Sequence, residues 1–360
     1  MEQFLQNCHE NQKNLSAVLY GKDDLRLEST PLPHEPDKNE VLLMISKVGI
    51  CGSDIHLWTN GCIGPFTVLD PIITGHEASG QVIAVGDEVT TLKVGDRVAI
   101  EPSIPCLRCE NCRQGSYNIC PNAYFSSAPP YNGLLTKYLK WPADFCHKLP
   151  DNVSDDEGAL VEPLSVALHA SHRADIRGGE IILICGAGPI GLLNLLVSKA
   201  FGATKVCITD FNESRLEIAK SLGATVTILL KKGQSENEIK DQIIHGLGRM
   251  PDKVLECSGA EASIRLAIET CRDGGKVMLI GCGPNEVTIP VMSVVHKELD
   301  IGGSFKYRNT WPKAIDLISS GTINVKPLIT HRYKLKQTLE AFGKAKSGNG
   351  IKVMIDCLND

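Results

Sequence analysis

Over the first ~150 residues, a typical domain length, apolar positions come in short runs broken by Gly, Pro and Asp. NEVLLMISKVGICG, SGQVIAVGDEV and VGDRVAI are examples. This texture predicts short strands joined by tight turns. After HKLPDNVSDDEGALVEP the pattern changes. EIILICGAG, KVCITD, TVTILL, KVLECSG, KVMLIG and DIGGSF are apolar, largely β-branched runs. Between them lie helix-like segments such as PIGLLNLLVSKAFG and ESRLEIAKSLG, each stopped by a glycine. Strands alternating with helices predict a parallel sheet covered on both faces. The six runs between Glu180 and Phe305 form one doubly wound domain, and the remainder holds a helix or two and a closing strand, GIKVMIDC. The pattern divides the chain into residues 1–164, 165–305 and 306–360. No repeat of fixed period is visible.

A length of 360 residues suits two domains. The net charge of -5 and a pI near 6.1 give no electrostatic case for nucleic acid or an acidic membrane. The start, MEQFLQNCHENQKN, has neither a basic region nor an apolar run, and no apolar stretch reaches membrane-spanning length, so a cytoplasmic protein is expected. In that reducing compartment fourteen cysteines favour thiols and metal ligands over disulfides. Cys185, Cys207, Cys257 and Cys282 fall in apolar strand-like runs and are expected to be small buried residues.

CGAGPIG follows the first strand of the doubly wound region and opens its first helix. Gly186, Gly188 and Gly191 match G-x-G-x-x-G in the strand-turn-helix context that a dinucleotide site requires, with Ile190 in the same turn. Pro189 suits the first helical position, and a pyrophosphate would bind at the positive helix end. A glycine-rich turn alone could be a bare structural turn. Here the second strand ends at Asp210, 19 residues after Gly191, where an acid should grip the ribose 2′-OH. Its charge also repels a 2′-phosphate, which favours NAD over NADP, with Arg215 nearby as a counterweight.

Cys106, Cys109, Cys112 and Cys120 stand at C-x2-C-x2-C-x7-C. Four thiolates in one loop can enclose a tetrahedral Zn²⁺ with no open position, which is a structural clip rather than a reactive centre. Four unrelated thiols, or a redox pair, are the other readings, but no C-x-x-C here opens a thioredoxin-like helix. Reactive chemistry is then sought at Cys51 in GICGSDIH, His76 and Glu77 in ITGHEASG, and Glu162 in ALVEPLSVALHA. A thiolate, an imidazole and carboxylates suit an open zinc site, although each residue singly is as readily a structural group.

GICGSDIH, GHEASG, GDRVAIEP, YNICPN, FCHKLPDNVS, EGALVEPLSV, GAGPIG and VKPLITHRYKL together resemble the medium-chain, zinc-dependent alcohol and polyol dehydrogenases. The consecutive His-Glu in GHE and the segment EPLSV resemble the sorbitol dehydrogenase (ketose reductase) branch. The resemblance implies a GroES-like β-barrel catalytic domain, completed by the C-terminal tail, beside a Rossmann domain, in a homotetramer. It implies a catalytic zinc on Cys51, His76 and Glu77, with Glu162 as fourth ligand or as holder of a water at the metal. It implies a structural zinc on the cysteine quartet.

The implied reaction is oxidation of a sorbitol- or xylitol-like secondary alcohol to the ketose, with hydride transfer to NAD. Ser53, His56 and Glu162 are the candidate proton relay, while His169 and His172 are read as structural. Leu57, Phe125, Glu162, Lys306 and Tyr307 fall at substrate positions. Two of these depart from the polyol pattern: Leu57 stands in place of a tyrosine, and Lys306 in place of an arginine that binds sugar hydroxyls. PPYNG also replaces an acidic PPDDG turn. Lysine lacks the bidentate fork of arginine, and leucine removes a hydrogen bond. A relative acting on arabinitol or threonine, or a non-catalytic NAD-binding homologue, are the alternative readings.

Overall fold

The computed structural model describes residues 14–358. The chain forms two compact units. One comprises the chain up to Glu162 with Trp311–Ser319 and residues 329–360, and the other comprises residues 163–310 and 320–328. The first crossover thus falls two residues before the position expected from pattern. The return begins at Trp311 rather than Lys306, and the stretch 320–328 goes back to the second unit.

The first unit opens with strands β1 (Asn14–Gly21), β2 (Asp24–Thr30) and β3 (Glu40–Gly49), followed by helix α1 (Gly52–Asn60). Strands β4 (Ile72–Ile73), β5 (Glu77–Val85), β6 (Arg97–Ile100), β7 (Tyr138–Pro142) and β8 (Cys146–Lys148) come next. β3 is central. It pairs antiparallel with both β5 and β7, and the β3–β5 register sets Gly49 opposite Glu77. Seven of its ten positions are buried, so it reads as a near-continuous apolar run rather than an alternating one. Two register shifts along β3–β5 bend the pair, as bulges do.

The second unit begins within helix α2 (Val161–Ala174) and alternates thereafter. Its elements are β9 (Ile181–Cys185), α3 (Pro189–Ala200), β10 (Lys205–Asp210), α4 (Glu213–Ser221), β11 (Val226–Leu229) and α5 (Glu236–Leu247). They continue with β12 (Lys253–Glu256), α6 (Glu261–Thr270), β13 (Lys276–Leu279), α7 (Val291–His296) and β14 (Asp300–Gly303). The six strands are all parallel, in the order β11-β10-β9-β12-β13-β14. Strand order reverses between β9 and β12, where such sheets bind ligands beyond the strand ends. β9 is buried throughout, and Leu183, Val254, Ile268 and Val277 fill one core of this unit. Cys185 and Cys207 lie inside as expected, Cys257 is half-buried, and Cys282 is exposed. β13 ends at Leu279, so Cys282 falls in the loop beyond the strand and not within it.

The return segment adds α8 (Trp311–Ser319), β15 (Ile329–Lys334), α9 (Thr338–Lys346) and β16 (Lys352–Asp356) to the first unit. β16 pairs with β3, and β15 with β16, to complete a sheet of order β8-β6-β5-β3-β16-β15 with β7 also on β3. Val41, Leu43, Ile45, Leu57, Phe342 and Ile355 share its core.

Candidate active site

Cys51 leaves β3 in extended conformation and caps α1, whose first turn contains Asp54. Asp54 is 1% exposed. Its Oδ2 accepts the Cys51 N–H at 3.0 Å. Its Oδ1 accepts from the Ser127 hydroxyl at 3.0 Å and the Gly75 N–H at 3.4 Å. The same Oδ1 lies 3.3 Å from His76 Nδ1, an ion-pair distance at which the ring N–H is not aligned for a hydrogen bond. Burial pushes the Asp54 carboxyl up, but His76 and these donors prevail and hold it below the usual carboxylate range. Burial likewise opposes a charge on His76, yet its interactions with Asp54 and Cys51 raise its pKa well above the ordinary value. With Nδ1 turned to Asp54, Nε2 remains as the ligand atom.

Glu77 opens β5 beside His76. The donor atoms of Cys51, His76 and Glu77 lie within 4.8 Å of one another. A sulfur, nitrogen and oxygen set with fewer than four protein ligands fits a zinc ion that keeps a position open. Both Glu77 oxygens also accept from Lys352 Nζ, at 2.6 Å each. Burial pulls the Lys352 ammonium down, but Glu77, Cys51 and Glu162 outweigh it and leave its pKa raised.

The other residues singled out from sequence fall at different depths. Ser53 Oγ is 3.5 Å from His76 Nε2, and the Phe125 ring centre is 5.6 Å from that of His76. Glu162 is 5% exposed in the first turn of α2 and lies outside the three-donor group. His56 is exposed on α1. Leu57 is 2% exposed and packs in the core of the first unit. Lys306, with φ +52°, and the 1%-exposed Tyr307 belong to the second unit.

The cysteine quartet forms a second group with its sulfurs within 4.8 Å of one another. Cys109 Sγ lies 3.4 Å from Cys112 Sγ and 3.8 Å from Cys120 Sγ. Zn–S bonds of about 2.3 Å give a tetrahedron with edges of about 3.8 Å, so the spacing fits one enclosed ion. The N–H groups of Arg108 and Cys109 bring the Cys106 thiol down to about 6, whereas burial and neighbouring thiols push Cys112 up to about 12. Tyr117 ties this loop to the sheet by donating to Glu101 at 3.3 Å.

In the second unit Gly186 turns at φ +99° and Gly188 caps α3, with Pro189 as its first residue. A Cβ on Gly191 would collide with the Gly186 carbonyl oxygen, while one on Gly188 would meet only open space. The first of these observations fits close loop packing and the second fits a backbone left clear for a pyrophosphate. Ile190 lies in the first turn of α3, half-buried. Asp210 ends β10, and its Oδ2 accepts the Ala187 N–H at 2.7 Å, which ties the acid to the glycine turn. Its Oδ1 accepts the Asn212 N–H at 2.8 Å. Arg215 is half-buried in the first turn of α4, where its N–H bonds the Asn212 cap.

Two family models match. Residues 37–151 fit the alcohol dehydrogenase GroES-like domain and residues 189–320 the zinc-binding dehydrogenase domain. The chain is 49% identical over 345 residues to a sorbitol dehydrogenase of Gallus gallus, covering 96% of this chain and 97% of that one. Identity to a sorbitol dehydrogenase of Homo sapiens is 49% over 344 residues, covering 96% of each. Among solved structures, an Escherichia coli oxidoreductase of unknown specificity superposes with a TM-score of 0.90 at 38% identity, covering 97% of this chain and 100% of that one. The chain belongs to the zinc-dependent medium-chain dehydrogenases. The GroES-like and Rossmann-like domains expected from the pattern and the resemblance are those of this family.

Two residues of this dehydrogenase's metal surroundings escaped the sequence. Asp54 had a signal, since an acid three residues after Cys51 suits a helix N-cap pairing. Lys352 had none, because only the β3–β16 pairing brings it to Glu77.

Proposed function

We infer that the protein oxidises a secondary hydroxyl of a sorbitol- or xylitol-like polyol to the ketose, with NAD as hydride acceptor. The convergence of Cys51, His76 and Glu77 carries this reading, because a binding-only protein has no use for an open three-donor site. When bound, zinc polarises the hydroxyl and NAD accepts the hydride. Cys51, His76 and Glu77 would hold the catalytic ion, and the quartet would hold the structural one. The glycine turn with Ile190, Asp210 and Arg215 would hold the dinucleotide. Asp54, its Oδ1 3.3 Å from His76 Nδ1, occupies that side of the ring and would leave Nε2 to hold the ion. Ser53, against His76 Nε2, is placed to pass on the hydroxyl proton, with Glu162 as the second carrier and exposed His56 as the outlet to solvent. Phe125, beside His76, would give the substrate an apolar wall, with Leu57 in the core of the same unit, and Lys306 and Tyr307 are kept as substrate positions on the family resemblance alone.

A cytoplasmic homotetramer completes the proposal. No described helix is long and apolar enough to cross a membrane. β14 is an edge strand with little cover, and Val291, Met292, Val295, Ile301 and Phe305 are exposed apolar residues on the segment around it. Such an edge invites a second copy. The test of function is a panel of polyols and other alcohols, followed by NADH formation. Sorbitol or xylitol should lead arabinitol, threonine and simple alcohols. Activity on threonine alone, or on none despite bound zinc and NAD, would reject the assignment.

A further inference from the structure

Lys352 and Glu77, 275 positions apart in sequence, meet where β3, β5 and β16 run side by side. Lys352 Nζ lies 2.6 Å from each Glu77 oxygen and 3.2 Å from the Ile50 carbonyl oxygen. Their side chains are 2% and 1% exposed. The backbone has been cleared for them. A Cβ on Gly49, opposite Glu77, would strike Glu77 Oε2 and lie 3.3 Å from Lys352 Cδ. A buried ion pair adds little stability over an apolar pair of equal volume, so its presence calls for another reason. Glu77 supplies that reason, for it shares the donor group with Cys51 and His76. Each carboxylate oxygen keeps a second lone-pair direction after accepting from lysine.

We propose that Lys352 is a positioning residue of the metal site. It holds the Glu77 carboxylate by both oxygens and weakens it as a donor, so that the ion shared with Cys51 and His76 is held less tightly but withdraws electrons from substrate more strongly. The proposal rests on Cys51, His76 and Glu77 being the zinc ligands.

The test is zinc release from the full-length, zinc-loaded protein into excess chelator, with the quartet zinc as internal control. Lys352→Met and Lys352→Gln should slow release from the first site roughly tenfold and lower kcat by a similar factor, the scale of other outer-shell changes. KM should change little. Lys352→Arg, which keeps the charge, should restore both quantities toward the wild type. Should Lys352→Met fail to fold, Lys352→Gln still donates to Glu77 without the charge and decides the matter. Release that is unchanged or faster in the neutral variants would overturn the proposal, leaving the lysine as a prop for Glu77. A wild type that holds only the quartet zinc, with Cys51 open to alkylation, would instead refute the ligand assignment, and the proposal with it.

Discussion

The Asp210 carboxylate already accepts from two backbone N–H groups, Ala187 and Asn212, so it serves the glycine turn as well as a ribose. Replacing it therefore has two effects. Asp210→Ser should raise kcat/KM for NADP relative to NAD by about tenfold or more, since a full charge opposes a 2′-phosphate. Affinity for both cofactors should fall as the turn loses its tie. Equal kcat/KM for the two cofactors in the wild type would show that Asp210 does not select. The substrate positions are unequal candidates for redesign. Leu57 is packed in the core, so Leu57→Tyr should cost ~1–3 kcal/mol by overpacking. Lys306 is half-buried, with its Nζ 4.9 Å from the Phe305 ring centre. Lys306→Arg should raise kcat/KM for sorbitol about tenfold if a bidentate donor is what the site lacks. An unchanged constant would remove Lys306 from the specificity set. At this scale, what could be read from sequence was what is local. The cysteine quartet announces itself by spacing, and Cys51, His76 and Glu77 stand out only through the motifs of a known family, whereas Ser127 and Lys352 reach this donor group only through the fold.

Elements carry the two sites differently. The quartet loop has only a four-residue helix, Glu110–Arg113, and a three-residue 3-10 turn, Tyr117–Ile119, and adds no residue to the core cluster of the first unit. Its shape rests on sulfurs gathered around one point, so a metal ion held there would couple to folding. Cys112→Ser should lose that zinc and lower the melting temperature by several degrees, an effect of a few kcal/mol at most on the whole protein. Zinc content and calorimetry check this, and full zinc retention would overturn the clip reading. The doubly wound unit depends instead on its strand ends. Asp252 accepts the Ile181 N–H at 2.8 Å and pairs with Arg249 at 2.6 Å and Arg272 at 2.7 Å. Burial pushes its carboxyl up, but Arg249, the Ile181 N–H and Arg272 prevail and keep it low. A depressed folded pKa means this stabilisation is full above the unfolded value near 3.9 and fades as pH falls through the folded one. Asp252→Asn should cost ~1–3 kcal/mol at neutral pH and flatten the acid side of the stability curve. A melting curve with an unaltered pH profile would refute this. The alternation of strands and helices was plain in the sequence because β9 to β13 are short, largely β-branched runs separated by helix-like segments that glycines stop. The crossover points were not, since segment 320–328 differs in no compositional way from its flanks.

For the whole molecule, what covers β14 matters most. The strand closes the sheet on one side, with Asp300, Ile301 and Gly303 exposed, and α7 precedes it with Val291, Met292 and Val295 each more than half exposed. Proteins that keep such an edge free normally protect it with lysine, proline or a bulge. The strand DIGG has none of these; its protection is its four-residue length, the exposed Asp300, and Arg173, which donates to the Gly303 carbonyl at 2.9 Å. Two copies meeting here about a two-fold axis would pair like strands antiparallel and bury the α7 residues in the same step. Ile301→Lys with Val295→Glu should therefore break the assembly at this edge without disturbing the zinc or dinucleotide residues, none of which lies in the segment. Light scattering should give four chains per particle for the wild type and fewer for the double variant, with zinc content unchanged. A wild type that runs as a single 39.0 kDa chain would refute the tetramer, and a double variant that keeps its mass would move the interface elsewhere on the surface.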